Sequence, residues 1–342
     1  MDRFKEARDR GGAYLVNVQN PDGSFPGHEK GVDSYWGMLD ALIVTGHSNR
    51  ASLLCDWIRK NALTPEGDVG FNRKKGLAYP YPISWVVEGA HRLGQFDISQ
   101  RGMDFIMTYW DPESGGFYST PGEFGPEGKQ DLWIISSLGR AALYTGRVDV
   151  GRAAGGWMQR LMELQPNYPA QMHTTYSRAK GIHTEADPGD DVRRYIFNLD
   201  ATTDERFFNP GIASGFLARL YMATGEDRWL DLAREYMRCC DNASDYLYTI
   251  LRAGKTGWAA SLLYTLTGER RYRDIAVRIG ETLLRTQAES GYWSGLDCVE
   301  ETPSYGRTAE MTIWLDEIYQ GVGHEPAAES SCEPEATAAQ RA

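Results

Sequence analysis

The segment 166–208, PNYPAQMHTTYSRAKGIHTEADPGDDVRRYIFNLDATTDERFF, holds two of the chain's 6 histidines, His173 and His183, beside Glu185, Asp187, Asp190 and Asp191. A histidine near carboxylates is acid/base equipment that works around neutral pH. His183 and Asp191 are the candidates here for proton transfer, and His173 for holding a substrate. The competing role is a solvated acidic turn, because A-D-P-G-D-D at 186–191 is also good turn chemistry. Oxygen ligands of this kind suit Ca²⁺ or Mg²⁺, but the spacing matches no EF-hand loop, so no metal and no cofactor is expected.

Three carboxylates outside this segment are further catalytic candidates: Asp33, Asp131 and Glu310. Asp33 and Asp131 fall at the starts of predicted helices, where a negative charge also complements the helix dipole. Glu310 lies one turn into the last predicted helix, too deep for a cap, which suits a cavity carboxylate; a salt bridge to Arg307 is the alternative. Trp36, Trp85, Trp133 and Trp258 recur near the starts of four helices, with Tyr35 and Lys255 at similar places. Each Trp alone suits core packing, but four at equivalent places predict an aromatic-lined, substrate-binding cavity. The sequence has no G-x-S-x-G, no H-E-x-x-H and no nucleotide-binding glycine loop. Its cysteines (Cys55, Cys239, Cys240, Cys298, Cys332) form no CxxC pair and read as reduced thiols.

The elements that must position these residues are set by a recurring glycine. Gly46, Gly94, Gly146, Gly225 and Gly268 each follow one apolar helical run and precede another, with a last copy at Gly321. Glycine after a helix is the expected left-handed cap. A period of roughly 50 residues, one helical hairpin each, signals a toroid or solenoid, and the longer Gly146–Gly225 interval places segment 166–208 as an insertion in one unit. Helices are predicted to begin near Phe4, Asp33, Ala51, Tyr81, Ser99, Gln130, Val150, Pro210, Arg228, Lys255, Arg271 and Arg307. The even-numbered ones mix small and aromatic residues and suit an inner ring. The odd-numbered ones are amphipathic and suit an outer ring. The opposite loops share glycine followed closely by an aromatic: NPDGSF (20–25), GDVGF (67–71), SGGFY (114–118) and SGYWSG (290–295).

The fold expectation is therefore all-α: a single (α/α)6 barrel over residues 1–323, with a lid-like insertion at about 166–208 and a disordered tail over 324–342. The net charge of −11 excludes a nucleic-acid partner and gives no indication of an anionic substrate. The charged N-terminus has no signal-peptide core and no run suits a membrane span, so a cytoplasmic location is expected. The sequence says nothing of oligomeric state.

Q-N-P-D-G-S-F (Gln19 to Phe25), T-Q-A-E-S-G-Y-W (Thr286 to Trp293) and the six hairpins together resemble the α/α-toroid superfamily. Terpenoid cyclases and protein prenyltransferase β-subunits have this fold, and six-hairpin glycosidases and polysaccharide lyases are close in architecture. The resemblance implies that substrate enters where the inner helices begin. It is specific for fold and not for chemistry. The acidic D-x-D-D and D-D-x-x-D motifs of terpene cyclases are absent. Asp297 and Cys298 lack the following histidine that a prenyltransferase zinc site would need.

Three functions remain open, all with a small-molecule partner. The first, which the single-toroid size, the Q-x-x-D-G-x-F string and the Trp ring favour, is a cyclase, isomerase or lyase of specialised metabolism acting on a small hydrophobic substrate. The second is a carbohydrate-active lyase, hydrolase or epimerase with two carboxylates as acid and base. The third is a toroid that binds a small molecule without catalysis.

Overall fold

All five internal hairpin glycines take positive φ: Gly46 (81°), Gly94 (69°), Gly146 (84°), Gly225 (69°) and Gly268 (71°). Each closes a short turn from one helix to the next, as the repeat predicts. The structure is a computed structural model and describes residues 2–202, 206, 208–294 and 304–323. Asp297, Cys298 and the expected disordered tail 324–342 lie outside the described residues.

The described residues form twelve α-helices. The inner helices are α2 (Met38–Val44), α4 (Pro80–Arg92), α6 (Leu132–Tyr144), α8 (Phe208–Thr224), α10 (Gly254–Thr267) and α12 (Tyr305–Val322). Each packs on the next, and α12 returns to α2, so the ring closes. The outer helices are α1 (Asp2–Val18), α3 (Ser48–Asn61), α5 (Phe96–Met107), α7 (Val148–Glu163), α9 (Asp227–Met237) and α11 (Arg270–Thr286). The two rings differ for the reason that their sequences differ. Residues Pro80 to Ala90 of α4 are all buried, whereas α11 buries only one stripe, including Tyr272, Ala276, Ile279 and Leu283.

The loops from outer to inner helix form a repeated joint. A Cβ on Gly23, Gly67, Gly115 or Gly291 would come within 2.2, 2.0, 2.9 or 2.5 Å of a main-chain carbonyl oxygen: that of Leu53, Arg101, Ala153 or Arg10, respectively. Those carbonyls belong to α3, α5, α7 and α1, the outer helices of the next hairpins. A side-chain amide reinforces two of the joints. Gln19 Nε2 donates to Gly23 O (2.9 Å) and Arg50 O (3.0 Å), and Gln287 Nε2 to Gly291 O (3.0 Å) and Ala7 O (2.8 Å). The aromatic that follows is buried in three cases: Phe25, Phe117 and Trp293.

Three departures from the sequence expectation have local causes. Gly31, at φ 104°, starts a 3-10 turn over Val32–Ser34, so Asp33 sits in that turn and α2 begins only at Met38. Gly321 is not a cap. It lies inside α12, where a Cβ would meet Ser261 of α10 at 2.6 Å, so it is a close-approach glycine. Short strands occur in the loops and the insertion: β1 (Trp110–Asp111) pairs antiparallel with β2 (Gly116–Phe117), and β4 (Gln171–His173) with β7 (Ile196–Asn198). β3 (Gln130–Asp131), which leads into α6, pairs antiparallel with β5 (Thr175–Ser177), and β5 with β6 (Gly181–Ile182). This pairing fixes the insertion at the end of the barrel where the inner helices begin.

Below that end the barrel is filled. Trp314 packs against Trp85 and Trp258 at centroid distances of 5.5 and 5.4 Å. The Arg140 guanidinium lies 4.1 Å from the Trp85 ring centroid and pairs with Glu88 at 2.9 Å. Burial pushes Glu88 up to about 7, against the pull of Arg140.

The joint makes a stability prediction. Gly94 has open space around its Cβ position, so Gly94→Ala should lose only about 1–2 kcal/mol, from positive φ alone. Gly67→Ala adds the clash with Arg101 O and should lose about 3 kcal/mol or more. Urea unfolding of the two variants measures the difference, and equal losses would contradict the joint.

Candidate active site

The starts of α4, α6, α8, α10 and α12 and the insertion surround three adjoining cavities. The outer cavity, about 390 Å³, is lined by Lys75, Ser119, Lys129, Asp131, Asp190, Arg194 and Tyr195, among others. A narrow neck is lined by Leu77, Asp131, Trp133, Arg194, Arg206 and Asn209. The inner cavity, about 280 Å³, is lined by Trp36, Tyr81, Trp133 and Phe208 together with a set of charged groups. Asp131 is shared by the outer cavity and the neck, and Arg194 lines all three, so they form one cleft.

Asp131 is placed by three local contacts. Its N–H donates to Ser119 Oγ (2.9 Å), it pairs with Thr175 across β3 and β5, and its Oδ1 accepts from Trp133 N (2.9 Å) as the N-cap of α6. Oδ2 has Thr174 Oγ1 at 3.5 Å. Burial pushes this carboxyl up to about 6, against the pull of Arg206, the Trp133 and Ile134 amides and Arg194. A carboxyl that titrates there can both give and take a proton near neutral pH.

Glu310 has the opposite setting. It stands in α12, with Oε1 on the Lys255 ammonium of α10 and Oε2 2.6 Å from Arg307 Nη1. Burial raises it, but the Lys255 and Arg307 charges outweigh burial and hold it below its usual range. Burial lowers Lys255, and Arg307 and Arg252 add to this against Glu310. The Lys255 ammonium also lies 5.3 Å from the Phe208 ring and 5.7 Å from that of Trp314. Asp33 is half exposed and pairs with Arg73. A continuous aromatic belt lines the same cavity, Trp36 to Tyr81 (5.6 Å) to Trp133 (4.5 Å) to Phe208 (5.5 Å).

The cleft thus brings together Asp33, Trp36, Asp131, Trp133, Lys255 and Glu310 from the sequence-based candidates. It does not bring in the other six. Tyr35 is buried against Trp57 of outer helix α3, ring centroids 5.3 Å apart, and so lies between the two helical layers. Trp85 and Trp258 belong to the barrel filling. His183 is buried inside the insertion, with Nε2 3.0 Å from Ser177 Oγ. Burial lowers it, as does the Lys180 charge. His173 Nδ1 meets the His183 carbonyl at 3.2 Å, and burial lowers this histidine too. Asp191 caps a 3-10 turn and forms a two-pronged pair with Arg193, which holds it down to about 2. The acidic run is consumed in the same way. Asp187 and Asp190 pair with Lys129 at 2.7 and 2.8 Å.

Sequence reading missed Arg73, Arg194, Arg206 and Arg252 as cavity groups. One signal was available for Arg252. Together with Lys255 and Arg307 it places cations at the starts of α10 and α12, where the dipole disfavours them. Nothing in the sequence marked Arg194, which reaches the cleft only because the insertion folds back over it.

No protein-family profile matches the chain, and no curated protein sequence matches it. Solved structures do. D-mannose isomerase superposes with a TM-score of 0.69 at 13% identity, over 93% of this chain and 97% of that one. Unsaturated glucuronyl hydrolase specific for heparin gives 0.65 at 13%, over 95% and 99%. The GH76A α-1,6-mannanase of Salegentibacter sp. HEL1_6 gives 0.64 at 14%, over 93% and 99%. At such identities the likeness shows the fold: the chain is a six-hairpin α/α toroid, an architecture that these carbohydrate-active enzymes share.

Proposed function

We propose that the protein is a carbohydrate-active enzyme, a hydrolase, lyase or epimerase of an oligosaccharide, with Asp131 as its proton-donating carboxyl. The observation that carries this reading is the character of the cleft. Its walls combine an aromatic belt with charged side chains, and the tryptophans Trp85, Trp258 and Trp314 are buried below it, outside the cavity lining, with Trp85 supporting Trp36 of the belt at 5.1 Å. An isoprenoid chain would desolvate those charges and offer no hydrogen bond in return. A sugar offers a C–H face to the aromatics and hydroxyls to the charges. The folds of D-mannose isomerase, the mannanase and the glucuronyl hydrolase point the same way, and the cyclase reading has no such support.

Asp131 and Glu310 supply two carboxyl groups driven apart by their surroundings, one up to about 6 and the other below its usual range. Such a split assigns roles: the raised group holds a proton to give, and the other stays ionised. In this assignment Asp131 protonates the departing or shifting oxygen. Glu310 fixes Lys255 and Arg307 in the cavity wall. His183 supports the β5–β6 hairpin.

The test is turnover of an oligosaccharide panel, neutral and acidic, by wild type and Asp131→Asn. The substitution keeps the cap oxygen and removes the proton. Turnover should fall about 100-fold or more. Wild-type kcat should decline as pH rises through about 6, because the general acid is then ionised, and the variant should lack that limb. Folding should respond with the same sign. The folded state holds this proton above the ordinary 3.8, so stability falls between about pH 4 and 6, and less steeply in the variant. Turnover of a polyprenyl substrate with none of any saccharide would overturn the proposal.

His183→Ala should lower stability by about 1 kcal/mol through its lost buried hydrogen bond. Turnover should stay within the same order of magnitude. A loss of about 100-fold, the size of an acid/base contribution, would assign the chemistry to the insertion instead.

A further inference from the structure

The inner cavity wall carries six cationic side chains and two carboxylates, in a protein whose net charge is −11. The carboxylates are already engaged: Asp33 takes Arg73, and Glu310 takes Lys255 and Arg307. Arg206 pairs with Asp191 outside this wall, at 3.2 Å, which leaves Arg194 and Arg252. Neither guanidinium makes a hydrogen bond or ion pair with a described residue, and Arg194 Nε is buried without a partner. A buried donor left in this state is unfavourable unless something else meets it.

The placement of the cations sharpens the point. Arg252 lies two residues before α10, Lys255 in the first turn of α10 and Arg307 in the first turn of α12. These helix ends already carry partial positive charge. Burial lowers Arg252, as do the neighbouring charges of Arg307 and Arg206, against the pull of Glu310. Positive ends and positive side chains converge here, and the protein provides too few anions to balance them.

We propose that the inner cavity is the subsite for an oxyanion carried by the saccharide substrate, a uronic carboxylate or a phosphate ester, gripped by Arg194 and Arg252. This rests on the carbohydrate reading and names its substrate class. A guanidinium presents a planar fork that matches a carboxylate or phosphate in two-pronged fashion. The aromatic belt of the same cavity takes the ring that bears the anion. Arg194 also lines the neck and the outer cavity, so a chain anchored here runs past Asp131.

The test is titration calorimetry of the full chain with D-glucuronate, D-glucose 6-phosphate, D-glucose and inorganic phosphate. At least one anionic sugar should bind about tenfold or more tightly than glucose. Arg252→Gln should remove about tenfold of that affinity, leave glucose binding unchanged and keep the wild-type circular dichroism. Arg252→Lys should retain part of the affinity through its charge. Raised ionic strength should weaken the anionic sugars and spare glucose. A preference for glucuronate identifies a carboxylate, and a preference for glucose 6-phosphate identifies an ester. If Arg252→Gln does not fold, Arg194→Gln and competition by phosphate against the anionic sugar in wild type decide in its place. Equal affinity for glucose and both anionic sugars would overturn the oxyanion subsite and leave the carbohydrate reading standing. Phosphate binding as tightly as glucose 6-phosphate, with no affinity for glucose, would keep the oxyanion site and remove the carbohydrate reading. Absence of binding by all four probes overturns the proposal.

Discussion

The structure depends on how closely a loop can approach the backbone of the next hairpin. Gly23, Gly67, Gly115 and Gly291 each lie against a carbonyl of an outer helix, at distances that no Cβ could occupy. The last of them meets Arg10 of α1, so the sixth hairpin closes on the first. A joint repeated in this way fixes the rotation from one hairpin to the next, and so fixes where the inner helices start. The cleft follows, because those starts converge on one rim and the tryptophan and arginine filling blocks the barrel below it.

At the rim, two carboxyl groups of similar intrinsic acidity end up in different states. Asp131 is buried at a helix cap with one oxygen committed to a backbone amide, and its charge is disfavoured. Glu310 is as deeply buried but has a cation on each oxygen, and its charge is favoured. The difference comes from contacts between separate hairpins: Lys255 is supplied by α10 and Arg307 by α12. The excess of cations over anions in the same wall comes from the insertion and the helix starts together, and it is invisible in the net charge of the whole chain.

Fold was legible in this sequence because it is written in local, repeated signals. Positive-φ glycines marked five hairpins, and the inner and outer helices differed visibly in composition. Gly321 misled because close approach to Ser261 needs the same residue as a cap does. The site was legible only in part. Asp131, Trp36, Trp133, Lys255 and Glu310 could be placed because a position at a helix start is a one-dimensional fact. His183, His173 and Asp191 attracted attention by type, but their roles depend on partners such as Ser177 and Arg193 that spacing does not reveal. Tyr35 and Trp36 are adjacent, and only the 3-10 turn before α2 decides that Trp36 reaches the cavity while Tyr35 turns to Trp57. Of the cations at the starts of α10 and α12, which run against the dipole rule, Arg307 is compensated locally by Glu310 and Arg252 is not, and a local rule broken without compensation points to a functional site.

In the proposed complex a saccharide lies across the aromatic belt with a reacting oxygen beside Asp131. A crystal structure of Asp131→Asn soaked with an acidic oligosaccharide tests it most directly. The expected result is a sugar ring on Trp36, Tyr81 and Trp133, its anionic group at Arg252 and Arg194, and a glycosidic or hydroxyl oxygen within hydrogen-bond reach of residue 131. A sugar bound elsewhere, with this cleft holding only water, would contradict it.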